Sequence, residues 1–300
     1  MDRRLALTMK TLRSLRWRLR TWLNQRFWSQ PIETVTKPIK SRIIVGLTTS
    51  PQRIKHLEPV LKSILRQSCP PDEIHLNIPY VFKRDGSTYI IPDFLKNLDS
   101  RIKIVRTEDI GPGTKVIPTL LGLDDLNDTL VITADDDILM LPQAIEVIAK
   151  AFQKDPSLVY GLSGYRLGTQ MESLYRNEYS EVDVLEGYAH FAVHRKFILG
   201  DFNAYLKTAH SIRAGFLHDD AVLANYFALK NIPRVQLFDQ HANRKLLKKR
   251  GAQLYYGIDA DALHQGGGDI ISIESAKQTR QLKEISEFMK AEQLWALTSK

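Results

Sequence analysis

The chain has 300 residues, 43% of them hydrophobic and 25% charged, the balance of an ordinary globular protein long enough for one sizeable core. Its net charge of +8 is concentrated at the start: residues 1–28 carry eight Lys or Arg against Asp2, a balance of +7 that leaves +1 for everything after them. A nearly neutral body excludes a protein built to neutralise nucleic-acid phosphates, and a single cysteine, Cys69, excludes an internal disulfide.

In residues 1–28, Leu5, Met9, Leu12, Leu19, Leu23 and Phe27 recur at helical spacing, with Trp17, Trp22 and Trp28 among arginines. No stretch approaches the roughly 18 apolar residues of a membrane span, and neither the apolar core nor the cleavage site of a signal peptide is present. The segment reads as a basic amphipathic helix suited to an anionic membrane surface, or else to packing on its own domain or a partner. The expected location is the cytoplasm, with a peripheral position on the inner face of the membrane if the segment binds there. Residues 29–41, with Pro31 and Pro38, read as a linker, and residues 42–300 as one α/β domain.

Arg42 to Leu47 is a β-branched, apolar first strand. Thr48-Thr49-Ser50-Pro51-Gln52-Arg53 follows, then a helix with Ile54, Leu57, Leu61, Ile64 and Leu65 on one face. This is a βα unit without the glycines of a dinucleotide or P-loop motif, which removes the usual dehydrogenase and ATPase readings. Glu73 to Ile78 alternates as a second strand, residues 81–101 form an insertion with a short helix near Phe94 to Leu98, and Lys103 to Arg106 is a third strand. Gly111 to Pro118 is a tight loop carrying Lys115, which has no acidic neighbour in sequence and is suited to meeting a diphosphate as a point charge.

Val131-Ile132-Thr133-Ala134 reads as a buried strand that runs into Asp135-Asp136-Asp137, with an amphipathic helix opening at Pro142. Three adjacent carboxylates repel one another at a sheet rim unless a cation or solvent neutralises them, and open α/β sheets bind ligands at their carboxyl ends. The plainer alternative is a solvated loop in which Asp136 or Asp137 caps the next helix. Leu158 to Ser163 reads as a strand, residues 164–181 as a polar, aromatic loop, and Val182 to Val193 as a strand pair broken at Gly187. His218-Asp219-Asp220 opens an apolar helix, where the aspartates either do chemistry or simply cap. A basic cluster, Lys248-Lys249-Arg250, precedes His264 and a Gly266-Gly267-Gly268 triplet, and the tail ends in an amphipathic helix through Ile285, Phe288 and Met289.

The acidic triplet, the acidic pair and their order resemble family 2 glycosyltransferases of the glycosyltransferase-A fold, over roughly residues 42–268. The resemblance implies a single Rossmann-like domain with a mostly parallel central sheet. It implies a metal-dependent transfer of sugar from a nucleoside diphosphate sugar to the hydroxyl of a glycan, lipid-linked or other acceptor, with inversion. Asp135-Asp136-Asp137 corresponds to the DxD motif: Asp135 would contact donor ribose or metal, Asp136 the donor, and Asp137 and His264 a Mn²⁺ or Mg²⁺ ion. Thr48, Thr49 and Arg53 would touch base and ribose, Lys115 the diphosphate, and Glu186 a donor or acceptor hydroxyl. Asp220, with Asp219 as its neighbour, corresponds to the catalytic base. Many members carry an acidic pair after the second strand to read the base; Asn77-Ile78-Pro79-Tyr80 stands there instead, which leaves the nucleobase open. Two other readings are a sugar-nucleotide nucleotidyltransferase and a non-catalytic carbohydrate- or nucleotide-binding protein of the same fold.

Overall fold

The computed structural model describes residues 36–124, 128–175, 180–237 and 270–297, with 19, 34 and 178 besides. The expectations for the amphipathic segment 1–28, for Lys248 to Arg250, for His264 and for the glycine triplet lie outside the described residues, Leu19 alone excepted.

In chain order the strands are β1 (Arg42–Thr48), β2 (Glu73–Pro79), β3 (Ile102–Thr107), β4 (Thr129–Ala134), β5 (Val159–Gly161) and β6 (Gly164–Leu167), then β7 (Ser173–Tyr175), β8 (Ser180–Glu181), β9 (Val184–Leu185), β10 (Phe191–His194) and β11 (Arg234–Gln236). The helices are α1 (Glu58–Leu65), α2 (Phe94–Asn97), α3 (Ile117–Leu121), α4 (Ala144–Lys154), α5 (Phe202–Ala209), α6 (Arg213–Leu217), α7 (Asp219–Leu229) and α8 (Ile270–Ala291). Eight strands form one sheet in the order β3-β2-β1-β4-β10-β5-β11-β8. Its β3-β2-β1-β4 half is parallel throughout, and β10 runs antiparallel to both β4 and β5. This is the mostly parallel α/β sheet expected of a glycosyltransferase-A domain.

The period of two along each strand sends alternate side chains into two cores. Leu130 and Ile132 of β4, with Ile43, Val45 and Leu47 of β1, pack under α1 and α4. Val131, with Val159, Phe191 and Val193, packs on the other face against α5, α7 and the buried side of α8 at Leu282, Ile285 and Met289. Gly46 is required on that second face: a Cβ there would stand 2.4 Å from the carbonyl oxygen of Lys115, so the Lys115 loop lies directly on β1.

Two sequence expectations are corrected. Residues 164–181 are not simply a loop: β6 and β7 pair antiparallel and join β9 in a second, three-stranded sheet, with Tyr165 buried against Tyr175. Arg176 and Tyr179 lie outside the described residues. The two strands flanking Gly187 do not pair with each other, because β9 belongs to the small sheet and β10 to the large one, with a 3-10 turn Gly187–Ala189 between them.

Candidate active site

Strand β4 ends at Ala134, and α4 begins only at Ala144, capped at Gln143, so the aspartate triplet is not spent on capping that helix. It sits at the carboxyl end of the sheet in a cleft of ≈ 280 Å³. Seven of the sequence-predicted residues line this cleft: Thr48, Thr49, Arg53, Lys115, Asp135, Asp136 and Asp137.

The Arg53 guanidinium reaches Asp136 Oδ1 at 2.6 Å and Asp137 Oδ2 at 3.4 Å, and the Thr49 hydroxyl donates to Asp136 Oδ2 at 2.7 Å. Burial is the main force raising the Asp136 carboxyl, opposed by Arg53 and Thr49. Burial and then the charge of Asp136 push Asp137 up to about 7, against the pull of Arg53. Thr48 donates its hydroxyl to the Asn77 carbonyl at 2.8 Å, tying β1 to β2. Ser50, which the sequence did not single out, is different: its hydroxyl is shielded from solvent and has no hydrogen-bond partner among the described residues.

Lys115 is the hub. Although distant from any carboxylate in sequence, its ammonium lies 3.2 Å from Asp135 Oδ1 and 3.2 Å from Asp219 Oδ2, with only 7% of its side chain exposed. Burial pulls its pKa down, but Asp135, Asp219 and Asp220 together hold it well above the ordinary lysine range. A fully buried Asn77 donates to the Lys115 carbonyl at 3.1 Å and to Thr119 at 3.0 Å, so the residue standing where the family pattern has acid fastens the lysine loop. The cleft's further acid, Asp109, accepts the backbone N–H groups of Lys83 and Gly111, both at 2.8 Å.

Asp219 and Asp220 open α7, yet its cap is His218, whose Nδ1 accepts from Ala221 N at 3.4 Å. Asp220 Oδ2 instead accepts the Gly187 N–H at 3.0 Å, leaving Oδ1 buried with no hydrogen-bond partner among the described residues. Burial and the adjacent Asp219 lift the Asp220 carboxyl well above its usual range, with Lys115 opposing them. Neither residue lines the ≈ 280 Å³ cleft; they lie behind Lys115. Gly187 is the hinge of this arrangement, since a Cβ on it would stand 2.6 Å from Lys115 Nζ and 2.9 Å from Asp220 Oδ1. Beside it, Glu186 is buried and accepts from Ser163 at 2.6 Å and from Tyr175 at 2.9 Å. His190, another residue without a sequence signal, is fully buried at φ 70°, and its Nδ1–H donates to the Thr133 carbonyl at 2.9 Å. It thereby fixes the strand end that carries Asp135.

The strand tip in the cleft offers carboxylate oxygens from Asp135, Asp136 and Asp137, donors suited to a hard divalent cation. Among the described residues no cluster of three or more His, Cys, Asp or Glu side chains encloses a metal. A divalent cation would fit an open site here, with Asp135 and Asp137 as protein ligands and the rest of its shell from ligand oxygens or water. The elevated Asp137 carboxyl supports it, because a cation there would offset charge that burial disfavours.

A model of Glycosyl transferase family 2 matches residues 52–227, more than half of the chain. Sequence comparison with curated proteins finds no match. Solved structures similar to this chain include a mannosyltransferase from Pyrobaculum calidifontis in complex with GDP-Man and Mn²⁺, at 15% identity and TM-score 0.42 over 96% of this chain and 86% of that one. Another is a 4-diphosphocytidyl-2C-methyl-D-erythritol synthase from Anaerococcus prevotii, at 18% identity and TM-score 0.44 over 68% of this chain and 91% of that one. A third is GalNAc-T7 with UDP, GalNAc and Mn²⁺, at 11% identity and TM-score 0.46 over 83% of this chain and 56% of that one. These likenesses are distant. The family match, by contrast, takes in Arg53, Lys115, the acidic strand tip and the acidic pair, and on it the chain belongs to glycosyl transferase family 2.

Proposed function

We propose that the chain transfers a sugar from a nucleoside diphosphate donor to an acceptor hydroxyl with inversion, assisted by Mn²⁺ or Mg²⁺. The observation that carries this reading is the Lys115 bridge, which joins the tip of β4 to the start of α7 through contacts of 3.2 Å on each side. It puts two carboxylate groups of different surroundings around one buried cation. Asp135 and Asp137 would hold the cation, which when bound neutralises charge building on the departing diphosphate. Thr49 and Arg53 fix Asp136, and through it the shape of the strand tip.

In the transfer, the acceptor oxygen forms its bond to the anomeric carbon as the bond from that carbon to the diphosphate oxygen breaks, and the hydroxyl proton would pass to the unpartnered Oδ1 of Asp220, which the acceptor reaches only once the cover over it behind Lys115 opens. Burial and Asp219 make the Asp220 carboxylate a stronger base than an exposed one, while Lys115 keeps its ionised form accessible. Glu186, whose carboxylate Ser163 and Tyr175 orient, would accept from a sugar hydroxyl. The basic segment 1–28 would keep the enzyme at an anionic membrane surface, where lipid-linked acceptors reside.

Asp220→Asn tests the assignment. Transfer should fall by at least about a thousandfold, the loss of a general base and of its charge, while nucleoside diphosphate affinity stays within roughly twofold. Lost donor binding with intact turnover per bound donor would assign Asp220 elsewhere. Release of pyrophosphate from a nucleoside triphosphate in the same assay would favour a nucleotidyltransferase.

A further inference from the structure

The cations on the floor of the cleft are already matched. Lys115 faces Asp135 and Asp219, and Arg53 faces Asp136 and Asp137. A diphosphate entering the cleft would have to compete with those carboxylates for either one. Three other cations line the same cleft, Lys83, Arg84 and Arg213, all exposed, and among the described residues Lys83 and Arg213 have no carboxylate within ion-pair distance.

Their positions are built. The segment bearing Lys83 closes on itself through Phe82 N to Ser87 O at 2.9 Å, with Gly86 in the left-handed region at φ 75°. It is pinned to the core at two points: Asp109 holds the Lys83 N–H, and the Tyr89 hydroxyl donates to the Thr49 carbonyl at 2.8 Å. The Lys83 ammonium then lies 6.0 Å from the centre of the Phe216 ring, on the same short helix as Arg213 and three residues after it, hence on the same face.

We propose that Lys83 and Arg213 bind the diphosphate of the nucleotide donor. This rests on the donor reading given above and moves the main diphosphate contact from Lys115 to the cleft mouth. Lys115 then serves to hold Asp135 and Asp219 in place. Arg213 presents a planar fork and Lys83 a point charge, the two usual ways of meeting phosphate oxygens.

The test is calorimetric titration of the full chain in Mg²⁺ with inorganic pyrophosphate, with UDP, GDP, ADP, CDP and dTDP, and with the corresponding nucleosides. Lys83→Met and Arg213→Met should each weaken diphosphate binding roughly tenfold, the double variant more, and nucleoside binding not at all. Lys83→Arg should retain most of the affinity, and because both side chains are exposed, thermal stability should not change. A double variant that binds diphosphates as tightly as the parent overturns the proposal and leaves the donor reading standing. So does a loss that extends equally to nucleosides. A parent that binds none of these ligands overturns the donor reading itself, and this proposal with it.

Discussion

Asp137→Asn reads the electrostatics of the strand tip directly. Asp137 is 8% exposed, and its carboxyl is raised from 3.8 to about 7, by burial first and then by Asp136. Between those values the native state keeps a proton that the unfolded chain has released, so stability falls as pH rises through the window. The penalty is absent below the unfolded value, complete above about pH 7, and amounts to roughly 4 kcal/mol when about three pH units are converted at about 1.36 kcal/mol each. Asparagine keeps the shape and an acceptor oxygen, and Arg53 retains its 2.6 Å contact with Asp136. In chelator at pH 8 the variant should be more stable than the parent by up to about 4 kcal/mol, on the order of 10 °C in Tm, and nearly equal to it at pH 4. Added Mg²⁺ or Mn²⁺ at pH 8 should then stabilise the parent and not the variant. Thermal unfolding followed by circular dichroism at pH 4, 6 and 8 measures all three. A variant that is no more stable at pH 8, or that keeps the parent's slope with pH, would refute the picture of a buried carboxyl that Arg53 compensates only in part.

Lys115→Met removes the cation shared by Asp135 and Asp219 and should cost about 3–5 kcal/mol at neutral pH, seen as a lower denaturation midpoint, because it leaves the buried Asp219 carboxylate without its cation. Gly46→Ala sets a methyl group 2.4 Å from the Lys115 carbonyl oxygen and should cost roughly 1–3 kcal/mol, with transfer activity falling further than stability as the lysine is displaced. Urea unfolding and initial rates on the same preparation separate the two effects. Deleting residues 1–28 should release the protein from anionic vesicles in a sedimentation assay with the near-ultraviolet spectrum of the domain unchanged; undiminished binding would assign membrane contact to the domain itself.

The sequence alone carried the sheet and the acidic anchors. Val131 to Ala134 could only be a strand buried on both faces, since every residue is apolar or β-branched, and β4 lies in the middle of the sheet with all of its residues buried. The acidic pair at the start of an apolar helix was equally legible, because helix periodicity and a charged first turn are local signals. What the sequence left open was whether those aspartates cap the helices that follow them. Tertiary contacts answer that: His218 and Gln143 occupy the cap positions, while Asp220 turns to the Gly187 N–H. The same holds for Lys115, which lies 20 residues from Asp135 in sequence, with Asp219 far further along the chain, and meets both only because Gly46 lets its loop lie flat on β1. The β6–β7 hairpin was hidden because its strands are three and four residues long, too short for a period of two to stand out. Local periodicity is written into neighbouring residues and survives without the fold. The matching of each charge to its partner depends on which distant segments the packed sheet brings within a few ångströms, and only the folded chain determines that.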